Sequence, residues 1–296
     1  MPTPTGLFVG LATLDVMQHV ESPPGRNEKV TALATYLAAG GPAANAAVAC
    51  AALGGRAILL TALGQHPAAD LIRADLAVHG VEVVDATPAV AQAPPVSAIA
   101  ISRGTGERSV IGADAIASTA APPQELAQLI EQADVLLIDG HHPNLATASA
   151  RLARQHGRPV VLDLGRWKPV MAELIPLATD VVCSADARMP GTLTAEESAH
   201  ALVAGGVPTV VVTQGAGSVL WWGCGSDVAT SSLQPPSVTA VDTLGAGDAF
   251  HGAYAFARAS GGSVSEAIER AIAVASLRVH HEGPREWLRH LPEVGR

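Results

Sequence analysis

The run Asp242-Thr243-Leu244-Gly245-Ala246-Gly247-Asp248-Ala249-Phe250 carries the sharpest chemical signal in the sequence. Gly245 and Gly247 let the backbone turn tightly and come close to a ligand. An apolar helical run starts at Ala249, so Gly245 to Asp248 is a glycine loop at a helix N-terminus. Free N–H groups and the positive end of the helix dipole make such a loop an anion site. Donors fixed there would stabilise the spread negative charge of a phosphoryl group in transit. Asp248, in the same turn, could take the proton from an attacking hydroxyl. The plain alternative is that Asp248 only caps the helix. A Gly-X-Gly before a helix is weak alone; Asp-Thr joined to Gly-Ala-Gly-Asp in one run is much stronger.

No other phosphate grip is visible. The only lysines are Lys29 and Lys168, neither of which follows a glycine, so there is no Walker A loop. No strand-borne GxGxxG opens a helix near the N-terminus, and the protein-kinase signature set is missing. The 296 residues are 48% hydrophobic with a net charge of −9, enough for a sizeable core and unfavourable for nucleic acid. Cys50, Cys183 and Cys224 lack metal-ligand or CxxC spacing and read as reduced thiols of a cytoplasmic protein. Residues 1–9 show neither a charged n-region nor a long apolar h-region, so no signal peptide is expected. The apolar stretch Ala38 to Leu63 is broken by Pro42, Asn45 and Arg56 and reads as helix plus strand, not a membrane span. No nucleic-acid or membrane partner is expected.

These residues need a scaffold, and the chain supplies an alternation of short apolar runs and helical segments. Strands are expected at Leu7–Leu11, Ala57–Ala62, Ser97–Ser102, Arg108–Ile111, Val135–Ile138, Val160–Leu164, Val181–Cys183 and Val210–Thr213. Helices are expected at Pro42–Leu53, His66–His79, Gln124–Gln132, Leu145–His156, Pro169–Ala178, Ala195–Ala204, Gly247–Ala259 and Val264–His280. Such alternation implies an α/β protein with a mainly parallel sheet covered on both faces. Leu220–Trp222 and the segment before Val238 read as a late antiparallel excursion. Asp15 to Tyr36 and Pro94 to Ile111 break the rhythm. They are extended and polar where crossover helices would stand. Either they pair as a small flap over the strand ends, or they are two long surface loops.

The chain resembles the ribokinase-like (PfkB) family of carbohydrate and nucleoside kinases. The family's C-terminal signature corresponds to Asp242–Tyr254. Its N-terminal Gly-Gly before an Asn-bearing helix corresponds to Gly40-Gly41-Pro42-Ala43-Ala44-Asn45. The resemblance runs from about Leu7 to about Gly283. It implies one ribokinase-like domain over residues 1–296, with a small β lid made of about 15–36 and 94–111. It implies Asp248 as catalytic base and Gly245, Ala246 and Gly247 as anion hole. Asp15, Gly41 and Asn45 would line the sugar pocket, and Arg108 would reach in from the lid. Thr213, Gly215 and Gly217, with Thr243 and Gly245, would lie against the nucleotide. ATP with Mg²⁺ and a monovalent cation near Asp242 and the last helix also follow from the resemblance; a homodimer is expected from the free edges of the lid strands.

One feature departs from the family pattern. Many relatives carry Asn-x-x-Glu after an Asp-Val-Val strand, where it organises Mg²⁺ through water. Here Asp180-Val181-Val182 is followed by Cys183-Ser184-Ala185-Asp186, which leaves Asp186 as the candidate acidic group. Gly10-Leu11-Ala12-Thr13-Leu14-Asp15-Val16 and Ser184-Ala185-Asp186-Ala187 are similar to the ketohexokinase branch. Gly41-Pro42-Ala43-Ala44, Val212-Thr213-Gln214-Gly215 and Phe250-His251-Gly252 are similar to the sulfofructose kinase branch. A ketose or ketose derivative is the implied acceptor.

Several residues carry two readings. Asp139, His141 and His142 follow a strand end and read as polar loop, with a substrate contact as the alternative. Asp163 ends another strand and could face either the crevice or the core. Arg166 and Lys168 read as surface, with an anion contact as the alternative. His280-His281 reads as a solvated helix end, Trp221-Trp222 as core plus nucleotide-side surface, and Gln65-His66 has no assigned role. Two rivals to a sugar kinase remain. A nucleoside kinase would want an aromatic platform, which a 3% aromatic content and Tyr36 alone near the first flap segment do not favour. A silent sugar sensor would explain the missing Asn-x-x-Glu but not the retained Asp248.

Overall fold

The computed structural model describes residues 3–223 and 231–293, so Cys224 lies outside the described residues. The elements in chain order are β1 Thr5–Val9, β2 Thr13–Val20, β3 Ala34–Gly40, α1 Pro42–Ala52, β4 Arg56–Thr61, α2 Pro67–Val78 and β5 Val81–Asp85. Then follow β6 Val96–Ser102, β7 Arg108–Gly112, α3 Leu126–Gln132, β8 Val135–Ile138, α4 Pro143–Gln155, β9 Val160–Leu164, α5 Met171–Leu174, β10 Asp180–Cys183 and α6 Ala195–Ala204. The chain continues through β11 Thr209–Gln214, β12 Gly217–Gly223, β13 Ser231–Leu233, α7 Ala246–Ala259 and α8 Val264–Val279.

Among the described residues the main sheet runs β13-β12-β11-β10-β9-β8-β1-β4-β5. From β11 to β5 every pairing is parallel; β12 and β13 are antiparallel, as expected of the late excursion. The apolar runs make continuous central strands because both faces are covered. In β1, Phe8 enters the core beneath α1, α2, α7 and α8, while Leu7 and Val9 enter the core beneath α3 to α6. This is the period of two expected of a strand. The architecture is α/β, with a mainly parallel sheet between two helical layers, as expected.

The two arrhythmic segments form a second sheet, β3-β2-β6-β7. Its central pairing is parallel, β2 with β6, from Leu14 opposite Val96 to Val20 opposite Ser102. The two segments pair with each other and are not two unpaired surface loops. A small apolar cluster of Met17, Ala38, Ile99 and Ile101 holds one face together.

Three departures have simple causes. β5, Val-Glu-Val-Val-Asp, was not expected because it follows Gly80 directly and lies half-exposed at the sheet edge. The helix expected over Pro169–Ala178 is only Met171–Leu174 followed by a 3₁₀ turn at Ile175–Leu177. Pro176 has no N–H to carry the helix on. His66 does have a role: its Nδ1 accepts from Ala68 N at 3.1 Å and caps α2.

Helix packing sets the distance between the two signature motifs. α1 is mostly alanine and lies against α7. A Cβ at Gly252 would stand 2.2 Å from the Ala46 carbonyl oxygen, so only glycine permits this approach. α8 then covers α7 and begins with a reciprocal Ser263–Glu266 capping box.

Candidate active site

Asp248 sits in the first turn of α7, whose N-cap Gly245 has φ 71°. The N–H groups of Gly247 and Asp248 lie in that turn with no acceptor behind them among the described residues. Asp242 ties down the start of the loop, accepting from Leu244 N at 2.9 Å. The carboxylate is therefore at the positive end of a helix, next to free donors.

Asn45 comes to the same point from α1. Its Nδ2 donates to Asp248 Oδ2 at 2.8 Å. The other end of the amide accepts from Arg285 Nη1 at 3.2 Å. Both ends of Asn45 are thus fixed, and the NH₂ is directed at the carboxylate. Gly41, just before α1, has φ 95°, and a Cβ there would lie 2.4 Å from the Leu11 carbonyl oxygen.

Burial pushes the Asp248 carboxyl up to about 6, with Asp163 and Asp15 adding in the same direction and Asn45 and His251 opposing. Asp163, at the end of β9, is buried and faces His251 Nε2 at 3.5 Å. His251, one turn after Asp248, donates from Nδ1 to the Gly247 carbonyl at 2.6 Å. Asp163 therefore turns toward the site, which resolves its open reading.

Asp15 lies on β2, buried and bonded to Thr13 Oγ1 at 2.6 Å. Burial raises its pKa, while the Thr13 and Ser97 hydrogen bonds and Arg285 oppose the rise. Asp15, Asn45, Gly245 and Arg285 line one small cavity with Met17 and Leu244. A wider hollow of about 640 Å³ opens beside α4, lined by Arg151, Lys168 and Glu173, and contains none of the expected site residues.

Arg108 opens β7, and its Nη1 donates to Thr243 Oγ1 at 3.1 Å. Thr243 in turn donates to the Gly106 carbonyl at 3.1 Å. The second sheet therefore touches the chain two residues before the glycine loop. On the other side, Gly215 makes the turn between β11 and β12 with φ 60°, and Thr213 Oγ1 donates to the Cys183 carbonyl at 3.3 Å. A Cβ at Gly215 or Gly247 would meet nothing within 4 Å, so both face open space. Gly217 starts β12. Asp186 is exposed on the loop after β10, where its N–H donates to Ser184 Oγ at 3.2 Å. Among the described residues no group of three His, Cys, Asp or Glu side chains could hold a metal.

Other residues differ from expectation. Asp139, His141 and His142 do lie in the loop between β8 and α4, but they are buried there and not exposed. Asp139 Oδ2 accepts from Leu11 N at 2.9 Å and Ala43 N at 3.2 Å, so it braces the floor beneath Gly41 and is no free ligand. Lys168, read as surface, is buried with Nζ on the Asp139 carbonyl at 2.8 Å. Arg166 pairs with Asp114. Trp222 is core and Trp221 half-buried. Sequence reasoning missed Arg285 and Arg278. Arg278 stands in the last turn of α8 and Arg285 just beyond it, and no local signal marks either, because their acceptors Asp242 and Asn45 lie far away in the chain.

A carboxylate beside free N–H donors at a helix N-terminus can take a proton from a hydroxyl and receive the charge of a phosphoryl group. The family model for pfkB family carbohydrate kinases matches residues 7–290, and the chain belongs to that family. Among curated relatives, the ribokinase of Arabidopsis thaliana is 29% identical over 295 residues, 95% of this chain and 77% of that protein. The ATP-dependent ribose-1-phosphate kinase of Halopiger xanaduensis is 29% identical over 287 residues, 94% and 93% of the two chains. The ketohexokinase of Mus musculus is 25% identical over 294 residues, 94% and 96%. A solved structure of a candidate ribokinase from Agrobacterium tumefaciens superposes with TM-score 0.84 at 28% identity, covering 98% and 99%. That of Arabidopsis thaliana ribokinase complexed with ribose and ATP has the same fold, with TM-score 0.77 at 23% identity over 100% and 99%.

Proposed function

We propose that this chain moves the γ-phosphoryl group of ATP, supplied with Mg²⁺, onto a hydroxyl of a small sugar. The observation that carries the reading is the Asn45–Asp248 hydrogen bond, 2.8 Å, which brings the sugar-side motif onto the base. The acceptor is a ketose or ketose derivative held between Asp15, Asn45, Gly41 and Arg108. Asp248, ionised just below neutrality, deprotonates the attacking hydroxyl. The free N–H groups of Gly247 and Asp248, in the turn that Gly245 and Ala246 open, receive the charge that develops on the phosphoryl oxygens. ATP lies against Thr213, Gly215, Gly217 and Thr243, with open space at Gly215 supporting that side.

The second sheet acts as the lid of a single ribokinase-like domain. Its Arg108–Thr243 contact supports closure over the reacting groups, which excludes water as a rival acceptor. Mg²⁺ arrives with the nucleotide, and Asp186 is the acidic group offered to it through water. Leu37, Val110 and Ile111 on the lid are exposed and support pairing between two copies. Buried free thiols at Cys50 and Cys183 support a cytoplasmic protein.

A silent sensor is disfavoured by the raised Asp248 pKa, since a carboxylate poised near neutrality is the property a base needs. The test is ADP release with MgATP across ketoses, ribose and other aldoses, sulfosugars and nucleosides. Turnover on a ketose-type sugar supports the reading; turnover on a nucleoside alone overturns it.

A further inference from the structure

The resemblance implies a monovalent cation near Asp242 and the last helix. The residues there do not fit one, because the oxygens that would hold it already surround an arginine. Arg278, in the last turn of α8, is 3% exposed, and Asp242 is fully buried. Arg278 Nη2 reaches Asp242 Oδ2 at 3.1 Å. Nη1 reaches the His281 carbonyl at 3.1 Å and the Asp242 carbonyl at 3.4 Å. One carboxylate oxygen and two carbonyl oxygens thus converge on a buried positive charge. That is the all-oxygen, partly anionic environment that suits a hard cation stripped of water. Guanidinium is weakly hydrated and always charged, so it is the side chain best able to replace one.

The position matters to the chemistry. Asp242 Oδ1 holds Leu244 N, one residue before Gly245, and Asp242 Oδ2 also accepts from Gly283 N at 3.2 Å. The N–H groups of Val241 and Asp242 both reach the Val279 carbonyl, at 2.7 and 3.2 Å. Asp242 is therefore the pin between the glycine loop and the turn after α8. A buried carboxylate in that place needs a positive partner. We propose that Arg278 is a built-in cation: its guanidinium takes the place of a monovalent ion at Asp242, positions the Gly245–Gly247 turn, and makes phosphoryl transfer independent of added K⁺. Arg278 is a positioning residue, acting through Asp242.

The inference rests on the reading of Gly245–Gly247 as the phosphoryl cradle, and the test separates the two. Wild-type turnover and unfolding midpoint are measured in KCl, NaCl and choline chloride at equal ionic strength, beside Arg278→Ala and Arg278→Lys. Turnover in any of the three salts upholds the kinase reading, whatever becomes of the inference. Expected are equal wild-type rates and midpoints in all three salts. In choline, Arg278→Ala loses roughly tenfold in kcat, and KCl returns much of that loss and raises its midpoint. Arg278→Lys, which keeps the charge, stays nearer to wild type. A wild-type rate that rises severalfold in KCl overturns the proposal. So does an Arg278→Ala enzyme that is folded and impaired but indifferent to K⁺. If Arg278→Ala does not fold, the wild-type salt series and Arg278→Lys decide: an Arg278→Lys enzyme that requires K⁺ also overturns it.

Discussion

Asn45 Nδ2 donates to Asp248 Oδ2 at 2.8 Å, joining two residues that stand 203 positions apart in the chain. The contact exists because α1 and α7 lie close enough for Gly252 to touch the Ala46 carbonyl. Helix packing thereby sets where the proposed base stands.

Rate should depend on a single ionisation. Asp248 must be charged to act as base, and its pKa is pushed up to about 6. The kcat/KM of the free enzyme should fall about tenfold per pH unit below that value and level off above it. Asp163→Asn removes one of the charges that raises the pKa, so its acidic limb should move to lower pH. An unmoved limb would detach Asp163 from the site.

The same shift has a stability sign. The folded pKa lies above the ordinary carboxylate value, so the folded state binds the proton more tightly than the unfolded chain does. The charged form therefore costs stability above about pH 6, and the cost fades as pH falls toward the unfolded value. Asp248→Asn should be more stable than wild type at pH 7 by about 1–2 kcal/mol, allowing for partial exposure. The difference should shrink at pH 4 in chemical denaturation.

Arg285 orients Asn45 and pairs with Asp75 at 2.9 Å while its Nη2 also reaches the Ala39 carbonyl. Arg285→Met should free the Asn45 amide and leave Asp75 with only the Ala39 N–H and His79. Steady-state kinetics should show KM for the sugar raised about tenfold or more, with KM for ATP little changed.

Arg108 ties the second sheet, the proposed lid, to Thr243. Arg108→Ala should lower kcat by about tenfold and increase ATP hydrolysis relative to sugar phosphorylation, because the closed lid keeps water out. Comparing ADP release with sugar-phosphate formation would show it.

Much of this was legible in the sequence. The glycine loop, Asp248 and Asn45 are local motifs whose residue types state their use. The parallel strands were visible because strands buried on both faces must be apolar throughout, as in Val135–Ile138 and Val160–Leu164. The edge strand Val81–Asp85 was less visible, being short and half-exposed at the sheet edge. Arg278, Arg285 and Lys168 could not be read correctly because a long cationic side chain looks like surface until its acceptors are known. Those acceptors, Asp242, Asn45 and the Asp139 carbonyl, lie 36, 240 and 29 positions away. Nothing in the spacing of one chain announces such pairings.

The most direct measurement is MgATP turnover by wild type and Asp248→Asn on the sugar that proves active, with sugar affinity followed by calorimetry. The expected result is a kcat lower by about a hundredfold or more in the variant, with sugar binding nearly unchanged. A variant that binds the sugar and still turns over at close to the wild-type rate would remove Asp248 from the base role and contradict the mechanism.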